Sequence, residues 1–311
     1  MCIRDSPYAG CGGGGGGGYG GRGGDGSDFT GGPMYGFADL PSEMGSGSSG
    51  HCCRPAAAGG GLMQIYTAGT FTVNGRLSAN GEGPVNGTTG GGSGGGLLIS
   101  AQTVTGSGFI TAGGGDGLAT DFGGGGGGRI AVYSCVLSLP LDHITASGGA
   151  GFAPADDGSV VLGASTARAT AARACAGSTI TLRVVGAGTT GPYQWRFNGV
   201  ALSDGPLPSG AIVSGALTAL LTISGVTPDE EGNYDCVLTG TCGGVTTNVT
   251  TFRVCATDLN CDGETNPDDL ADYISCYFSD PPCPQADFDR SGNVDPDDLA
   301  DFISAFFGGC N

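Results

Sequence analysis

Glycine sets the first constraint on this chain, supplying 67 of 311 residues and gathering them into uninterrupted runs such as 12–18 and 123–128. A residue without a side chain buries no apolar surface and loses the most backbone freedom on folding. Such runs fold only if something other than side-chain packing orders them. With 16 prolines added, 83 of the 311 residues are glycine or proline, a fraction that reads as disorder unless the sequence is periodic.

It is periodic. Residues 61–81 align with 96–114, residues 128–133 with 143–148 form a third, divergent copy, and 158–162 open a fourth, their leading glycines 35, 32 and 30 residues apart. Each copy holds two short, β-branched-rich strands joined by a turn and followed by a glycine loop. One copy cannot bury its apolar residues, whereas stacked copies can. Leu62, Ile65, Phe71, Val73 and Leu77 recur as Leu97, Ile99, Val104, Phe109 and Ile110, the expected inner column. The unit resembles the glycine-rich β-solenoid repeats of secreted bacterial surface proteins. That implies a stack over residues 9–165, right-handed by the general preference of parallel crossovers. Runs 12–18 and 45–50 read as flexible or polyproline-II-like loops, and run 123–128 as a loop that tolerates lengthening. The carboxylates here (Asp116, Asp121, Asp142, Asp156, Asp157) are scattered, with Arg129 and His143 the only nearby bases, so no lyase-like constellation is expected.

Residues 166–256 read as short β segments at 179–185, 193–197, 219–223, 233–238 and 249–254. Glu230-Glu-Gly-Asn-Tyr-Asp-Cys236 resembles the D-x-G-x-Y-x-C signature of immunoglobulin-like domains, with Tyr234 as the corner tyrosine and Trp195 as the core tryptophan. The usual strand-B cysteine position falls at Val184, so Cys236 pairs elsewhere, with Cys175, Cys242 and Cys255 the local candidates, or stays reduced in the core.

The last segment, 257–311, contains Asp258-Leu-Asn-Cys-Asp-Gly-Glu-Thr-Asn-Pro-Asp-Asp269 and, 29 residues on, Asp287-Phe-Asp-Arg-Ser-Gly-Asn-Val-Asp-Pro-Asp-Asp298. Calcium takes six to eight hard oxygen ligands, which a loop supplies on alternate residues. The first loop offers Asp258, Asn260, Asp262, the Glu264 carbonyl, Asn266 (directly or through water) and Asp269. The second offers Asp287, Asp289, Ser291, the Asn293 carbonyl, Asp295 and Asp298. Gly263 and Gly292 sit where the loop must turn sharply. Asn266 and Asp295 then cap short helices that open on Pro267 and Pro296. The stripes Leu270, Ile274, Phe278 and Leu299, Ile303, Phe307, widened by Tyr273, Tyr277, Phe302 and Phe306, are expected to pack face to face. A duplicated loop-plus-helix with Asp at position twelve resembles the type I dockerin family. That implies two Ca2+ ions and a cohesin-like or other protein partner, although Pro-Asp replaces the family's frequent Ser-Thr at positions ten and eleven. Cys276 and Cys283 bracket the end of the first helix. The family's adjacent termini imply that Cys261 and Cys310 form the other pair.

The formal charge is −18, all eleven basic residues are arginine, and 13 of 29 carboxylates lie between Asp258 and Asp301. No basic run could follow a phosphate backbone, so nucleic acid is excluded as a partner. No apolar run reaches membrane-spanning length. Thirteen cysteines with only two histidines favour disulfides in an oxidising compartment over zinc, including at His51-Cys52-Cys53. Residues 1–8 open on Met-Cys-Ile-Arg-Asp-Ser, which resembles translated adapter sequence and implies a missing natural N-terminus.

The expected fold is therefore mainly β and multidomain: a glycine-rich β-solenoid, an immunoglobulin-like β-sandwich and a small α-helical dockerin-like EF-hand pair. The expected function is that of a secreted or cell-surface, non-catalytic scaffold with calcium-dependent docking and an extracellular polysaccharide as a further ligand. The alternative is a fragment of a polysaccharide-degrading enzyme that carries a dockerin.

Overall fold

A computed structural model describes residues 13–49, 56–84, 89–118, 120–169, 173–187, 192–239, 242 and 245–308. The 1–8 segment, the His51-Cys52-Cys53 group and Cys310 lie outside them. The described chain is mainly β, with two α-helices near its C-terminal end. It divides into two compact units, one reaching residue 166 and taking in 185–190 and 241–243, the other holding the remainder.

In the first unit, strands Leu62–Tyr66, Gly96–Thr105, Arg129–Leu137 and Ser159–Gly163 lie side by side in parallel. Strands Arg76–Ser78, Phe109–Thr111 and Ile144–Thr145 form a second parallel sheet. The ladder pairs Met63, Leu97, Ile130 and Val160 in one row and Ile65, Ile99, Val132 and Leu162 in the next. Leu97, Ile99, Val104, Ile110, Ile130, Val132 and Ile144 share one buried core, against which Ile65, Phe71 and Leu77 pack. Two members of the expected column differ. Leu62 pairs with Gly96 and is exposed, Met63 opposite Leu97 is exposed as well, and Phe109 faces outward at 41% exposure. The ladder joins Leu62 to Gly96 rather than to Leu97, so aligning the copies on their leading glycines displaced Leu62 by one residue, while Ile65 keeps its place opposite Ile99.

The glycine runs are ordered. Gly123 and Gly126 donate to the Gly14 and Gly17 carbonyls (3.1 and 2.8 Å), Gly124 and Gly127 to Ala153 and Asp156 (3.2 and 3.0 Å), and Gly125 and Gly128 to Gly115 and Ala112 (2.9 and 2.7 Å). In the same rotation, the Gly123 and Gly126 carbonyls accept from Gly91 and Gly94, those of Gly124 and Gly127 from Gly24 and Gly21, and that of Gly125 from Gly149. The bonding direction repeats every third residue, the period of a polyproline-II helix with three residues per turn. Run 123–128 is thus the centre of a bundle of such helices. None of glycines 13–18, 91–95 or 123–128 has a positive φ, in keeping with that left-handed extended form. A Cβ on Gly16, Gly91, Gly114 or Gly125 would overlap the backbone carbonyl of Gly124, Gly115, Gly125 or Gly92, respectively. The helices approach at backbone contact, so glycine is required for space rather than for conformation. Of the two readings for run 12–18, the described residues take the polyproline-II one. Run 123–128 is not the tolerant loop the sequence suggested. The scattered carboxylates have a use here: Asp116 and Asp157 accept the Ala150 and Gly148 amides (both 2.8 Å), and Asp25 accepts that of Gly31 (2.8 Å).

In the second unit, two sheets face each other. One runs in the order Arg173–Cys175, Thr250–Cys255, Gly232–Leu238, Tyr193–Phe197, Val200–Ala201. The other is built from Gly205–Pro206, Ile212–Ser214, Leu220–Ser224, Thr179–Gly186 and Ser165–Ala169. Trp195 is fully buried and its indole N–H donates to the Thr218 carbonyl (2.9 Å). Tyr234 Oη donates to the Glu230 carbonyl at 2.8 Å, the hydrogen bond of a tyrosine corner. This arrangement is that of an immunoglobulin-like sandwich.

Val184 and Cys236 occupy the same core, and Cys236 is buried and free. Burial pushes its thiol up to about 11. A thiol with a raised folded pKa contributes stability below its unfolded value, near 8.5, and that stability is lost as pH rises through about 11. At pH 9 the native Cys236 peptide is therefore expected to resist iodoacetamide and the denatured one to be alkylated. Peptide mass mapping checks this, and native labelling at the denatured rate would refute it.

Candidate metal centre

Helix α1 (Pro267–Tyr277) and helix α2 (Pro296–Gly308) each follow one acidic loop. Asn266 caps α1: its side chain accepts the Asp268 amide (2.8 Å), while Asp269 accepts the Asn266 amide (2.9 Å). The second loop repeats this box with Asp295 and Asp298: the Asp297 amide donates to Asp295 (2.9 Å), and Asp298 accepts the Asp295 amide (2.8 Å). Position twelve of each loop is thus also the third residue of its helix, so the cap that starts the helix aims one carboxylate back into the loop.

Backbone amides draw the remaining ligand residues inward. Asp269 accepts from Leu259 (2.8 Å), Asp298 from Asp289 (3.1 Å), and Gly263 and Gly292 donate to Asp258 and Asp287 (both 3.0 Å). Those two glycines have φ of 91°, a region costly for any residue with a Cβ. Asp262 accepts the Glu264 amide and Asp289 the Ser291 amide. The Asn293 amide donates to Ser291 at 3.4 Å. The Asp295 amide holds the Asp298 carboxyl below the usual range, and the Glu264 amide does the same for Asp262, so both stay ionised in mild acid.

The two loops differ in convergence. Asp287, Asp289 and Asp298 bring one oxygen each within 4.8 Å of one another, and among the described residues they are the cluster that does so. Asp258, Asp262 and Asp269 do not. The Asp262 carboxylate is taken up by the Asn260 and Asn266 side-chain amides (3.1 and 3.4 Å), and both Asp258 oxygens accept amides. In the second loop Asp287 Oδ1 is buried with no hydrogen-bond partner. A buried carboxylate oxygen without a partner is costly unless a cation completes it, so the donor set suits a hard divalent ion.

The two helices meet through rings. Tyr273 and Phe302 are fully buried and stack at 3.8 Å, with Phe288 edge-on to both. The expected stripes do not close on each other: Ile274, Phe278, Ile303 and Phe307 are exposed, the two phenylalanines at 72% and 80%. The wide aromatics one position away fill the narrow space between two short helices and leave the aliphatic stripe on the outer face.

Cys276 pairs with Cys283, as expected. Cys261 pairs with Cys175 rather than Cys310, and Cys242 with Cys135. Strand Arg173–Cys175 of the sandwich carries Cys175 to the first loop, where it meets Cys261.

The two bases considered for catalysis are both engaged structurally. Arg129 donates to the Tyr35 carbonyl (2.7 and 3.0 Å) beneath the Tyr19 ring, and His143 bonds the Gly108 carbonyl (2.9 Å) and stacks on Phe109.

No protein-family model matches the chain, and no curated protein does. Among solved structures, murine CEACAM1b aligns at 17% identity and a TM-score of 0.25, over 32% of this chain and 49% of that one. Titin M4 aligns at 23% and 0.21, over 28% and 94%. The tandem Ig repeats of Dlar align at 18% and 0.20, over 33% and 57%. The chain spans about half the length of the CEACAM1b structure it matches. The assignment of the sandwich rests on its own strand order, tryptophan and tyrosine corner. No described helix is long and apolar enough to cross a membrane.

Proposed function

We propose that this chain is a secreted, non-catalytic modular protein whose C-terminal segment is a dockerin-like, calcium-dependent docking module. The immunoglobulin-like sandwich serves as its spacer and the parallel stack, read as a β-solenoid, as its stalk. The observation that carries the reading is the unpartnered, buried Asp287 Oδ1 inside the converged Asp287, Asp289 and Asp298 set. Ser291, the Asn293 carbonyl and Asp295 would complete that site. Asp258, Asn260, Asp262, the Glu264 carbonyl, Asn266 and Asp269 would form its counterpart. Bound calcium would neutralise the mutual repulsion of each aspartate set.

The symmetry-related exposed pairs, Ile274 with Phe278 and Ile303 with Phe307, are the surface such a module would offer a cohesin-like protein. The Cys135–Cys242, Cys175–Cys261 and Cys276–Cys283 disulfides fit an oxidising compartment. The structural engagement of Arg129 and His143 supports a non-catalytic role over that of a lyase fragment.

Calorimetric titration of the chelator-treated chain is expected to find two calcium ions per molecule, and one in Asp287→Ala. Heat signals indistinguishable from buffer dilution would refute the reading.

A further inference from the structure

We propose that the first coil of the parallel stack, residues 61–81, is a self-association surface on which a second copy of this chain docks about a two-fold axis. Strand Leu62–Tyr66 pairs there with its own copy, in antiparallel register centred on Gln64. The inference stands on the first unit alone and is independent of the calcium reading.

This coil is uncovered on its outer side. Among the described residues, strands Leu62–Tyr66 and Arg76–Ser78 are the outermost members of their sheets at this end. Ile99, Val104 and Ile110 of the second coil are fully buried. Their counterparts Ile65, Phe71 and Leu77 are only partly buried, and Met63, opposite Leu97, is 40% exposed. Stacked repeats ordinarily shield such residues with a polar capping repeat. Edge strands are ordinarily kept from pairing by charges or proline, and Leu62-Met-Gln-Ile-Tyr66 contains neither.

The backbone says what fits there. Gly96 donates to the Gly61 carbonyl (3.1 Å) and Thr67 to the Ser100 carbonyl (2.8 Å). Alternate residues of a ladder bond to alternate sides, so Met63 and Ile65 also face the second coil, while Leu62 and Gln64 direct their amides and carbonyls outward. With Gln64 opposite Gln64 of the second copy, these two exchange both hydrogen bonds. Met63 then meets Ile65 of the second copy in a non-hydrogen-bonded pair, where Cα atoms lie about 4.5 Å apart and side chains are closest. Strand Arg76–Ser78 reads the same way about Leu77. Phe109 donates to the Gly75 carbonyl and Ala79 to the Thr111 carbonyl (both 2.8 Å), so Arg76 and Ser78 point their backbone groups outward. Leu77 meets its own copy, and Arg76 falls opposite Ser78 rather than opposite a like charge. Both strands are self-complementary, as a two-fold interface requires. The Ile65–Ile99 and Leu77–Ile110 rows run on into the second copy, continuing the coil-to-coil interface already present within the chain.

Charge selects this end of the stack. Residues 56–84 carry one arginine, Arg76, and one glutamate, Glu82, so the end is formally neutral in a chain of net charge −18. At the far end, Asp156 and Asp157 precede strand Ser159–Gly163, and two copies meeting there would repel.

Analytical ultracentrifugation of the full chain is expected to show a concentration-dependent dimer. Gln64→Pro removes an outward amide that the stack itself does not use, a change an edge strand tolerates. It should weaken dimerisation about a hundredfold or more and leave the β circular dichroism of the dilute protein unchanged. Val160→Lys, on the far edge strand, should leave the dimer intact. A wild type that sediments as a monomer throughout overturns the inference, as does a folded Gln64→Pro protein that still dimerises. An open series of larger species abolished by Val160→Lys would mean head-to-tail stacking instead, and also overturns it. Hydrogen exchange needs no variant: the Gln64 amide is expected to be protected in concentrated protein and to exchange freely on dilution. Fast exchange at both concentrations would overturn the pairing.

Discussion

Gly125→Ala is expected to abolish the folded state of the first unit. The added Cβ would point at the Gly92 carbonyl, inside van der Waals contact with both its oxygen and carbon. Neither atom can move alone. The segment around Gly92 bonds to Glu82 and Gly115, and Gly125 itself bonds to Gly115 and Gly149. Overpacking an ordinary core costs about 1–3 kcal/mol because side chains can change rotamer, but here the only atoms available to shift are backbone. A loss of about 4 kcal/mol or more is therefore expected, a large share of a domain's stability. Inserting one glycine after Gly125 should be as damaging. It moves every later residue on by a third of a turn, so Gly126 would offer its amide where Gly127 did, toward Asp156, and lose Gly17. Gly69→Ala is the control, since a Cβ there meets nothing within 4 Å, and a change within about 0.5 kcal/mol is expected. Thermal unfolding with limited proteolysis reads all three. An insertion variant that melts with the wild type would show the bundle to be dispensable.

Chelating calcium from the full chain is expected to remove most of the signal of α1 and α2. Asp269 and Asp298 are fully buried carboxylates, each at once a loop residue and a helix cap. With no cation the aspartates of each loop repel, and relief of that strain takes the cap with it. The helices have little else to hold them, since the contact between them is chiefly the Tyr273, Phe288 and Phe302 cluster, and 11- and 13-residue helices are marginal in water. At calcium a hundredfold above its dissociation constant, one site contributes about 2.7 kcal/mol. Chelation should therefore lower the melting temperature of this segment and reduce helix circular dichroism, and calcium should restore both. Asp258→Ala with Asp287→Ala should resemble the chelated protein even in calcium. Spectra unchanged by chelator would mean that the disulfides and aromatic cluster alone hold the helices.

The sequence was most legible where a local rule determines a local structure. Asn-Pro-Asp-Asp and Asp-Pro-Asp-Asp announce capped helices because cap, proline and acidic first turn act within four residues of one another. Gly263 and Gly292 announce tight turns because their φ is open to them alone. The Glu230–Cys236 signature announces a tyrosine corner because Tyr234 bonds a carbonyl only four residues back. The spacing of apolar residues likewise implied stacked parallel copies. It misplaced Leu62 by one residue, because glycines marking the start of a copy do not mark the register of its strand.

Long-range partners were not legible. Nothing near Cys261 points to Cys175, 86 residues earlier, because a disulfide depends on where two backbones lie rather than on what surrounds either thiol. The stripe of Ile274 and Phe278 has the period of a buried face. Burial also depends on what fits between two helices, and there the stacked rings of Tyr273 and Phe302 exclude it. The glycine runs are the clearest case. Composition by itself determined that no side-chain core could form in them, but a run of glycine carries no mark of direction or neighbour. Only the tertiary structure, by bringing such segments to backbone contact and bonding the amides of run 123–128 to carbonyls of the segments around it, decided that they form a bundle rather than loops.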